Sequence, residues 1–153
     1  MQNIVICTIK SWNIDNYYLI KERFENKFNL ILISDKNDLD LNYLNSLKPK
    51  YIFFPHWSWI ISDEIINNFE CIIFHMTDLP YGRGGSPLQN LIINKVKKTK
   101  ISAVKAVKEL DAGNIYLKKD FYIGMGTCEE IFMKISELVF FEMIPEILEN
   151  NII

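Results

Sequence analysis

The sequence predicts an α/β protein with a doubly wound, mostly parallel β-sheet in a single domain. Short, apolar, β-branched segments alternate along the chain with segments whose apolar residues recur at helical spacing, and this pattern is typical of parallel strands covered by helices. The last two apolar segments flank a short turn, so we expect them to form an antiparallel edge. At 153 residues the chain has the length of one domain, and we expect residues 1–153 to form it.

In the first half of the chain, three apolar segments predict strands and three other segments predict helices. The predicted strands comprise residues 3–9, 30–33 and 51–54, and the predicted helices start near residue 13, at residue 41 and after residue 62. The side chain of Asn13, Asp15 or Asn16 can cap the first helix, and Ser62 can cap the third. The second helix should end before Pro49, which lacks the backbone N–H that a continuing helix needs.

The second half of the chain predicts three further strands and two further helices. The predicted strands comprise residues 71–74, 101–107 and 115–122. Ser86 and Pro87 form a strong helix start, because serine caps a helix and proline fits its first position. Thr127 and Glu130 have the spacing of a capping box, which predicts the start of the last helix.

The composition excludes several classes of protein. The chain has 17 Lys and Arg against 19 Asp and Glu, so its charge provides no general attraction to nucleic acid or to anionic membranes. Its three cysteines are far apart, which argues against a disulfide framework, and we expect Cys7 and Cys71 to be buried. Without a CxxC or HExxH motif, a metal site is not expected. The sequence shows neither an apolar leader nor an apolar run of about 20 residues, so we predict a cytoplasmic protein.

Candidate functional residues follow the predicted strands. Ligands of open α/β sheets bind at the carboxyl ends of the strands. His56 and Trp57 follow the third predicted strand, His75 follows the fourth, and Asp111 lies in the turn between the last two. His75 suits general acid–base chemistry, because an imidazole titrates near neutral pH. A packing role for His56 beside Trp57 stays open as an equal alternative.

The segment after His75 has the features of an anion-binding loop. Residues 77–87 read Thr-Asp-Leu-Pro-Tyr-Gly-Arg-Gly-Gly-Ser-Pro, which places an arginine among glycines directly before a predicted helix N-terminus, where backbone amides attract negative charge. Arg83 and Gly84 are therefore candidate binding residues. Asp78 either binds an amine substrate or caps the loop, and both roles stay open at this point.

Two motifs resemble those of the formyl-folate-dependent formyltransferases. The family signature, written loosely as N-x-H-x-S-L-L-P-x-x-R-G-x-x-P, matches His75, Thr77 in the hydroxyl position, Leu-Pro at 79–80, Arg-Gly at 83–84 and Pro87. Downstream, Leu-Asp-Ala-Gly-Asn-Ile at 110–115 resembles the family's Leu-Asp-x-Gly-x-Ile element. Asp111 lies 36 residues after His75, which also fits the family. The resemblance covers roughly residues 50–148 and implies a Rossmann-like formyltransferase fold.

The resemblance implies transfer of a formyl group from N10-formyltetrahydrofolate to an amine, without a metal ion. His75 would carry a proton from the attacking nitrogen to the folate nitrogen, and Asp111 would orient the imidazole. Trp57 would stack on the pterin or on a nucleotide base. The other predicted binding residues for substrate or cofactor are Thr77, Asp78, Arg83, Gly84 and Asn114.

The chain departs from the family pattern at positions that matter for the chemistry. Ile73 replaces the signature asparagine, which would stabilise the oxyanion of the tetrahedral intermediate, and Val104 stands where the family has a second histidine. We hypothesise that His56, Asn114 or a backbone amide supplies the missing donor. The sequence predicts neither a glycine-rich loop after the first strand nor a following RNA-binding domain. These expectations argue against a glycinamide ribonucleotide and methionyl-tRNA, and favour a nucleotide-linked amino sugar.

Two other functions fit the same motifs. With water as the acceptor, the protein would be a formyltetrahydrofolate hydrolase, and without an oxyanion donor it would be a noncatalytic domain that binds folate or a nucleotide. We expect a small-molecule amine as the partner, with no nucleic acid and no membrane. The last helix contains the large apolar residues Phe132, Phe140, Phe141 and Met143, which predict either a homodimer contact or deep burial.

Overall fold

A computed structural model describes residues 1–76, 98–107 and 113–150, in which strands and helices alternate as predicted. In chain order the elements are β1 (Gln2–Cys7), α1 (Ser11–Arg23), β2 (Phe28–Ile33), α2 (Leu41–Leu47), β3 (Tyr51–Phe54), α3 (Asp63–Asn68), β4 (Cys71–His75), β5 (Lys98–Lys105), β6 (Ile115–Tyr122), α4 (Cys128–Leu138) and α5 (Ile144–Asn150). Among the helices in these ranges, none has the length and hydropathy that a membrane crossing needs.

The strands join in the order β2-β1-β3-β4-β5-β6. β1 pairs in parallel with both β2 and β3, and β3 pairs in parallel with β4. β5 and β6 pair in the antiparallel direction, with an irregular register between Ala103 and Val104. The predicted fold class, a mostly parallel sheet with an antiparallel edge, is therefore confirmed.

The chain divides into two compact units, Met1–Ile73 and Phe74–Ile153, and their boundary lies inside β4. In the first unit β1 has a parallel partner on each side, and its residues 4–7 are fully buried. α1 is attached to β2 by a hydrogen bond of 3.0 Å from the Tyr17 hydroxyl to the Leu30 carbonyl. The organisation of residues 1–153 as one domain stays a prediction.

The helix starts of the first unit were only partly predictable. The Ser62 hydroxyl accepts a hydrogen bond from the Ile65 amide, which confirms the predicted cap of α3. α2 has its predicted bounds. The three predicted caps of α1 are wrong: the helix begins after Lys10, no side chain caps it, and the residues predicted to cap it, Asn13, Asp15 and Asn16, lie inside the helix.

In the second unit, a capping box starts α4 as predicted. The Thr127 hydroxyl accepts a hydrogen bond from the Glu130 amide at 3.1 Å, and the Glu130 carboxylate accepts one from the Thr127 amide at 3.2 Å. The Lys119 ammonium of β6 lies 2.8 Å from the Glu146 carboxylate of α5. This ion pair attaches the antiparallel edge to the last helix.

The apolar residues near the chain end are largely buried within the second unit. Phe140 and Met143 lie in a π-helical turn, Val139–Met143, and both are fully buried. Pro145 follows this turn and has no N–H to donate to the carbonyl four residues back, which disfavours regular α-helical bonding there. Deep burial therefore accounts for Phe140 and Met143, and a homodimer contact stays a prediction.

The cysteines have the burial that the sequence indicates. Cys7 and Cys71 are buried free thiols, as predicted, and Cys128 is an exposed one. Burial raises the pKa of Cys7 well above its ordinary value, and the nearby Cys71 adds to this effect. The Cys7 thiol therefore stays protonated and acts as a packing residue.

Candidate active site

A turn at the carboxyl end of β3 holds His56 in an uncommon backbone conformation. Thr8 directly follows β1 and is fully buried, and its hydroxyl donates a hydrogen bond of 2.7 Å to the Pro55 carbonyl. The next residue, His56, has a φ of 93°, and its amide donates to the Phe54 carbonyl at 3.1 Å. A positive φ outside glycine costs about 1–3 kcal/mol, so the surrounding hydrogen bonds hold His56 in a strained conformation, and its catalytic role stays a prediction.

The His56 imidazole is held from the side of α1. Asn13 is 2% exposed in the first turn of that helix. Its amide nitrogen Nδ2 lies 3.2 Å from His56 Nδ1 and donates to the Ile9 carbonyl at 2.8 Å. β1 and β3 are adjacent parallel strands. The amide of Asn13 therefore connects the carboxyl ends of these two strands and restrains the ring between them.

The surroundings of His56 favour the neutral imidazole. Burial lowers the pKa of His56 below its ordinary value of 6.5, and the positive charge of Lys10 lowers it further. Lys10 also has a positive φ, of 75°, so both residues have strained backbones. At neutral pH His56 is therefore uncharged.

Aromatic rings continue the chain after His56. The Trp57 and Trp59 ring centroids are 4.8 Å apart at an interplanar angle of 70°, and the Trp57 ring also packs edge-on against Phe54. Trp59 is 38% exposed. The indole Nε1 atoms of Trp57 and Trp12 are buried without a hydrogen-bond partner in the described part of the chain. The predicted stacking of Trp57 on a ligand stays a prediction.

His75 is the last residue of β4 and is 6% exposed. Side chains two residues apart on a strand share a face, so Ile73 occupies the position on the His75 face where the family signature has asparagine. Ile73 pairs with Phe54 in the parallel register of β3 and β4. In the first unit, Phe54 is therefore the β3 residue opposite Ile73, and His56 lies two residues after Phe54 along the chain.

Of the Leu-Asp-x-Gly-x-Ile element, the structure describes only residues 113–115. Gly113 lies so close to the backbone carbonyl of Lys105 that an added Cβ would overlap that oxygen. The neighbouring Asn114 is exposed, and its carbonyl accepts a hydrogen bond from the Lys105 amide at 2.8 Å. This close approach of two backbones explains the glycine, whereas the predicted role of the Asn114 side chain stays a prediction.

Five of the predicted site residues lie outside the described ranges: Thr77, Asp78, Arg83, Gly84 and Asp111. The predicted helix start at residues 86–87 also lies outside them. Within the described ranges, no group of three or more His, Cys, Asp or Glu side chains is placed to hold a metal ion. The roles of these five residues therefore stay predictions.

Comparison with known proteins decides the family. The methionyl-tRNA formyltransferase of Thermotoga maritima is 32% identical over 113 residues, which cover 72% of this chain and 36% of the relative. The solved structure of a methionyl-tRNA formyltransferase from Clostridium thermocellum is 51% identical and has a TM-score of 0.97, over 100% of this chain and 67% of that one. This chain belongs to the formyltetrahydrofolate-dependent formyltransferase family. The predicted family and fold are thereby confirmed.

The formyltransferase chain spans about a third of the length of the curated relatives that it matches. More distant structures have the same fold. Formyltransferase PseJ from Anoxybacillus kamchatkensis, solved with UDP-4,6-dideoxy-4-formamido-L-AltNAc and tetrahydrofolate, is 19% identical with a TM-score of 0.72, covering 99% of this chain and 79% of that one. A search of protein-family models finds no match to the chain.

Two residues of this formyltransferase that organise the His56 turn were not predicted as site residues. Thr8 and Asn13 are both buried polar residues. Asn13 lies four residues before Tyr17 and seven before Ile20, which are buried on α1, so it occupies the first position of the core-facing stripe. A polar residue on such a stripe needs a partner, and this was the available sequence signal. The sequence gives no comparable signal for Thr8.

Proposed function

We propose that this formyltransferase moves a formyl group from N10-formyltetrahydrofolate to an amine. The observation that carries the proposal is the 51% identity, over the whole of this chain, with a methionyl-tRNA formyltransferase. His75, in the signature motif, supports the same conclusion from its position at the carboxyl end of β4. Ligands of open α/β sheets bind at such strand ends.

In the proposed reaction, the acceptor amine attacks the formyl carbon and forms a tetrahedral intermediate. His75 takes a proton from the attacking nitrogen and returns one to N10 of the folate. The C–N10 bond then breaks, and the formyl group stays on the acceptor. Asp111 orients the imidazole of His75 and stabilises its cationic form. Such proton transfer is worth about 10²–10⁴ in rate.

The intermediate carries an oxyanion, for which Ile73 provides no hydrogen-bond donor. We assign this role to His56. Ile73 pairs with Phe54 across β3 and β4, and His56 is held two residues beyond Phe54 by the Thr8 and Asn13 contacts. Loss of one oxyanion donor costs about 10²–10³ in turnover, so His56→Ala should lower kcat by that factor.

A replacement at position 73 tests this assignment. In a His56→Ala background, Ile73→Asn reintroduces the signature asparagine on the His75 face of β4, and part of the lost turnover should return. Ile73→Leu is the matched control and should restore nothing. Near-normal turnover of His56→Ala alone would remove His56 from the mechanism and leave Asn114 or a backbone amide as the donor.

The acceptor is the finer part of the proposal. The methionyl-tRNA formyltransferases of Thermotoga maritima and Clostridium thermocellum are 32% and 51% identical to this chain, whereas PseJ is 19% identical, so we place methionyl-tRNA first. A nucleotide-linked amino sugar, favoured by the sequence alone, comes second. Residues 8–13, which comprise the loop after β1 and the first residues of α1, contain no glycine, which argues against the phosphate of a glycinamide ribonucleotide.

Incubation with N10-formyltetrahydrofolate and each acceptor tests the function. The expected result is a methionyl-tRNA whose mass rises by one formyl group, and formylation of an amino sugar would instead identify the second acceptor. Release of formate without any acceptor would identify a hydrolase. Binding of the folate without turnover would identify a noncatalytic domain. Either of these last two results would overturn the transferase proposal.

A further inference from the structure

The contact between Asn13 and His56 determines which imidazole nitrogen carries the proton. A backbone carbonyl can only accept hydrogen bonds, so the Asn13 atom that lies 2.8 Å from the Ile9 carbonyl is the amide nitrogen Nδ2. The same atom lies 3.2 Å from His56 Nδ1. An amide group carries two hydrogens. One is available for the Ile9 carbonyl, and the other is available for the imidazole.

An Nδ1 that accepts this hydrogen bond has no proton of its own. A neutral imidazole carries one proton, which then lies on Nε2. Burial and the Lys10 charge lower the pKa of His56, so this neutral tautomer is the form present near pH 7. In this form His56 carries its proton on Nε2 and has no positive charge.

We infer that Asn13 is a positioning residue that fixes His56 as a neutral Nε2–H donor to the oxyanion. This inference rests on the proposed function and deepens it, because it divides the work between the two histidines. His75 exchanges protons, whereas His56 only donates a hydrogen bond. A donor that is fixed before the reaction needs no reorganisation when negative charge develops on the formyl oxygen.

Three features of the first unit hold the arrangement. Asn13 is 2% exposed in the first turn of α1, and its bond to the Ile9 carbonyl restrains the amide. The Thr8 hydroxyl holds the Pro55 carbonyl at the residue before His56. The backbone of His56 is restrained at a φ of 93°, and such strain persists only where the surrounding structure imposes it.

The tautomer can be measured directly in the wild-type protein. The chain has two histidines, so ¹⁵N-histidine NMR spectra are simple, and a His56→Gln variant assigns them. At neutral pH, the two-bond ¹⁵N–¹H correlations should show Nδ1 of His56 unprotonated and Nε2 protonated. A protonated Nδ1, in either the other tautomer or the cation, would overturn the inference.

An Asn13→Asp variant tests the consequence for the reaction. A carboxylate accepts a hydrogen bond, so Nδ1 takes the proton, the pKa of His56 rises, and the neutral ring has no proton on Nε2. The Nε2–H donor then survives only in the cation. Relative to wild type, kcat of the variant should fall by about 10²–10³-fold as pH rises through the new pKa, while KM for the folate donor stays close to the wild-type value.

Asn67→Asp is the matched control, because it makes the same substitution at an exposed position of α3 and should leave the pH profile of kcat unchanged. A constant ratio of Asn13→Asp to wild-type kcat across pH would overturn the donor role. If the wild type formylates no acceptor, the proposed function fails, and the NMR spectra still decide the tautomer of His56. If Asn13→Asp does not fold, the wild-type spectra decide it as well.

Discussion

Removing the Thr8 hydroxyl should loosen the turn that holds His56. Thr8 is fully buried, and its Oγ1 lies 2.7 Å from the Pro55 carbonyl. Thr8→Val keeps the shape of the side chain but leaves that buried carbonyl without this donor, which costs about 1–3 kcal/mol. For a chain of this length, a loss of about 2 kcal/mol lowers Tm by about 4–8 °C.

Two measurements check the prediction for Thr8→Val. Denaturant unfolding should show a lower midpoint with an unchanged m-value. Hydrogen exchange of the His56 amide, which donates to the Phe54 carbonyl at 3.1 Å, should become faster in Thr8→Val but not in Thr8→Ser, which keeps the hydroxyl. Wild-type stability together with wild-type exchange at His56 would refute the reasoning.

Three further substitutions follow from contacts in the structure. Gly113→Ala should lower the free energy of unfolding by about 1–3 kcal/mol, because its Cβ would overlap the Lys105 carbonyl; an unchanged denaturation midpoint would contradict this. Thr127→Ala should cost about 1 kcal/mol in the same measurement by removing the capping box of α4, and a cost near zero would show that the cap is dispensable. In the folded protein the pKa of His56 lies below 6.5, so the unfolded chain binds a proton at this residue more readily than the folded chain does. The contribution of His56 to the free energy of unfolding is therefore complete above pH 6.5 and is lost as pH falls through the pKa of the folded state. His56→Gln should remove that part of the pH dependence, and an identical stability profile in wild type and variant would contradict it.

The fold could be predicted from the sequence because its signals are local. The α2 helix and the β3 strand have their predicted bounds, since Pro49 and the glycine-free apolar run mark them. The caps at Ser62 and Thr127 were found from side-chain chemistry alone. The start of α1 was not predicted, because the N-cap residue Lys10 provides no side-chain cap, and no residue type signals such a start.

The positions of the candidate site residues were predictable where a motif or the end of a strand marks them. His75 was found at the end of its strand, and Gly113 belongs to an element with a clear spacing. The contact between Asn13 and His56 joins residues 43 positions apart, and such a contact has no periodic signature. The positive φ of His56 is likewise invisible in the sequence, because it results from hydrogen bonds made by Thr8, Phe54 and Pro55 rather than from the residue type.

The most direct measurement of the central claim is the transfer of a ¹³C-labelled formyl group from formyl-folate to the acceptor amine, in wild type and in His75→Ala. Wild type should produce the labelled formamide. His75→Ala should bind the folate normally and produce it about 10²–10⁴-fold more slowly. Equal rates in the two proteins would contradict the role of His75 as the group that moves the proton.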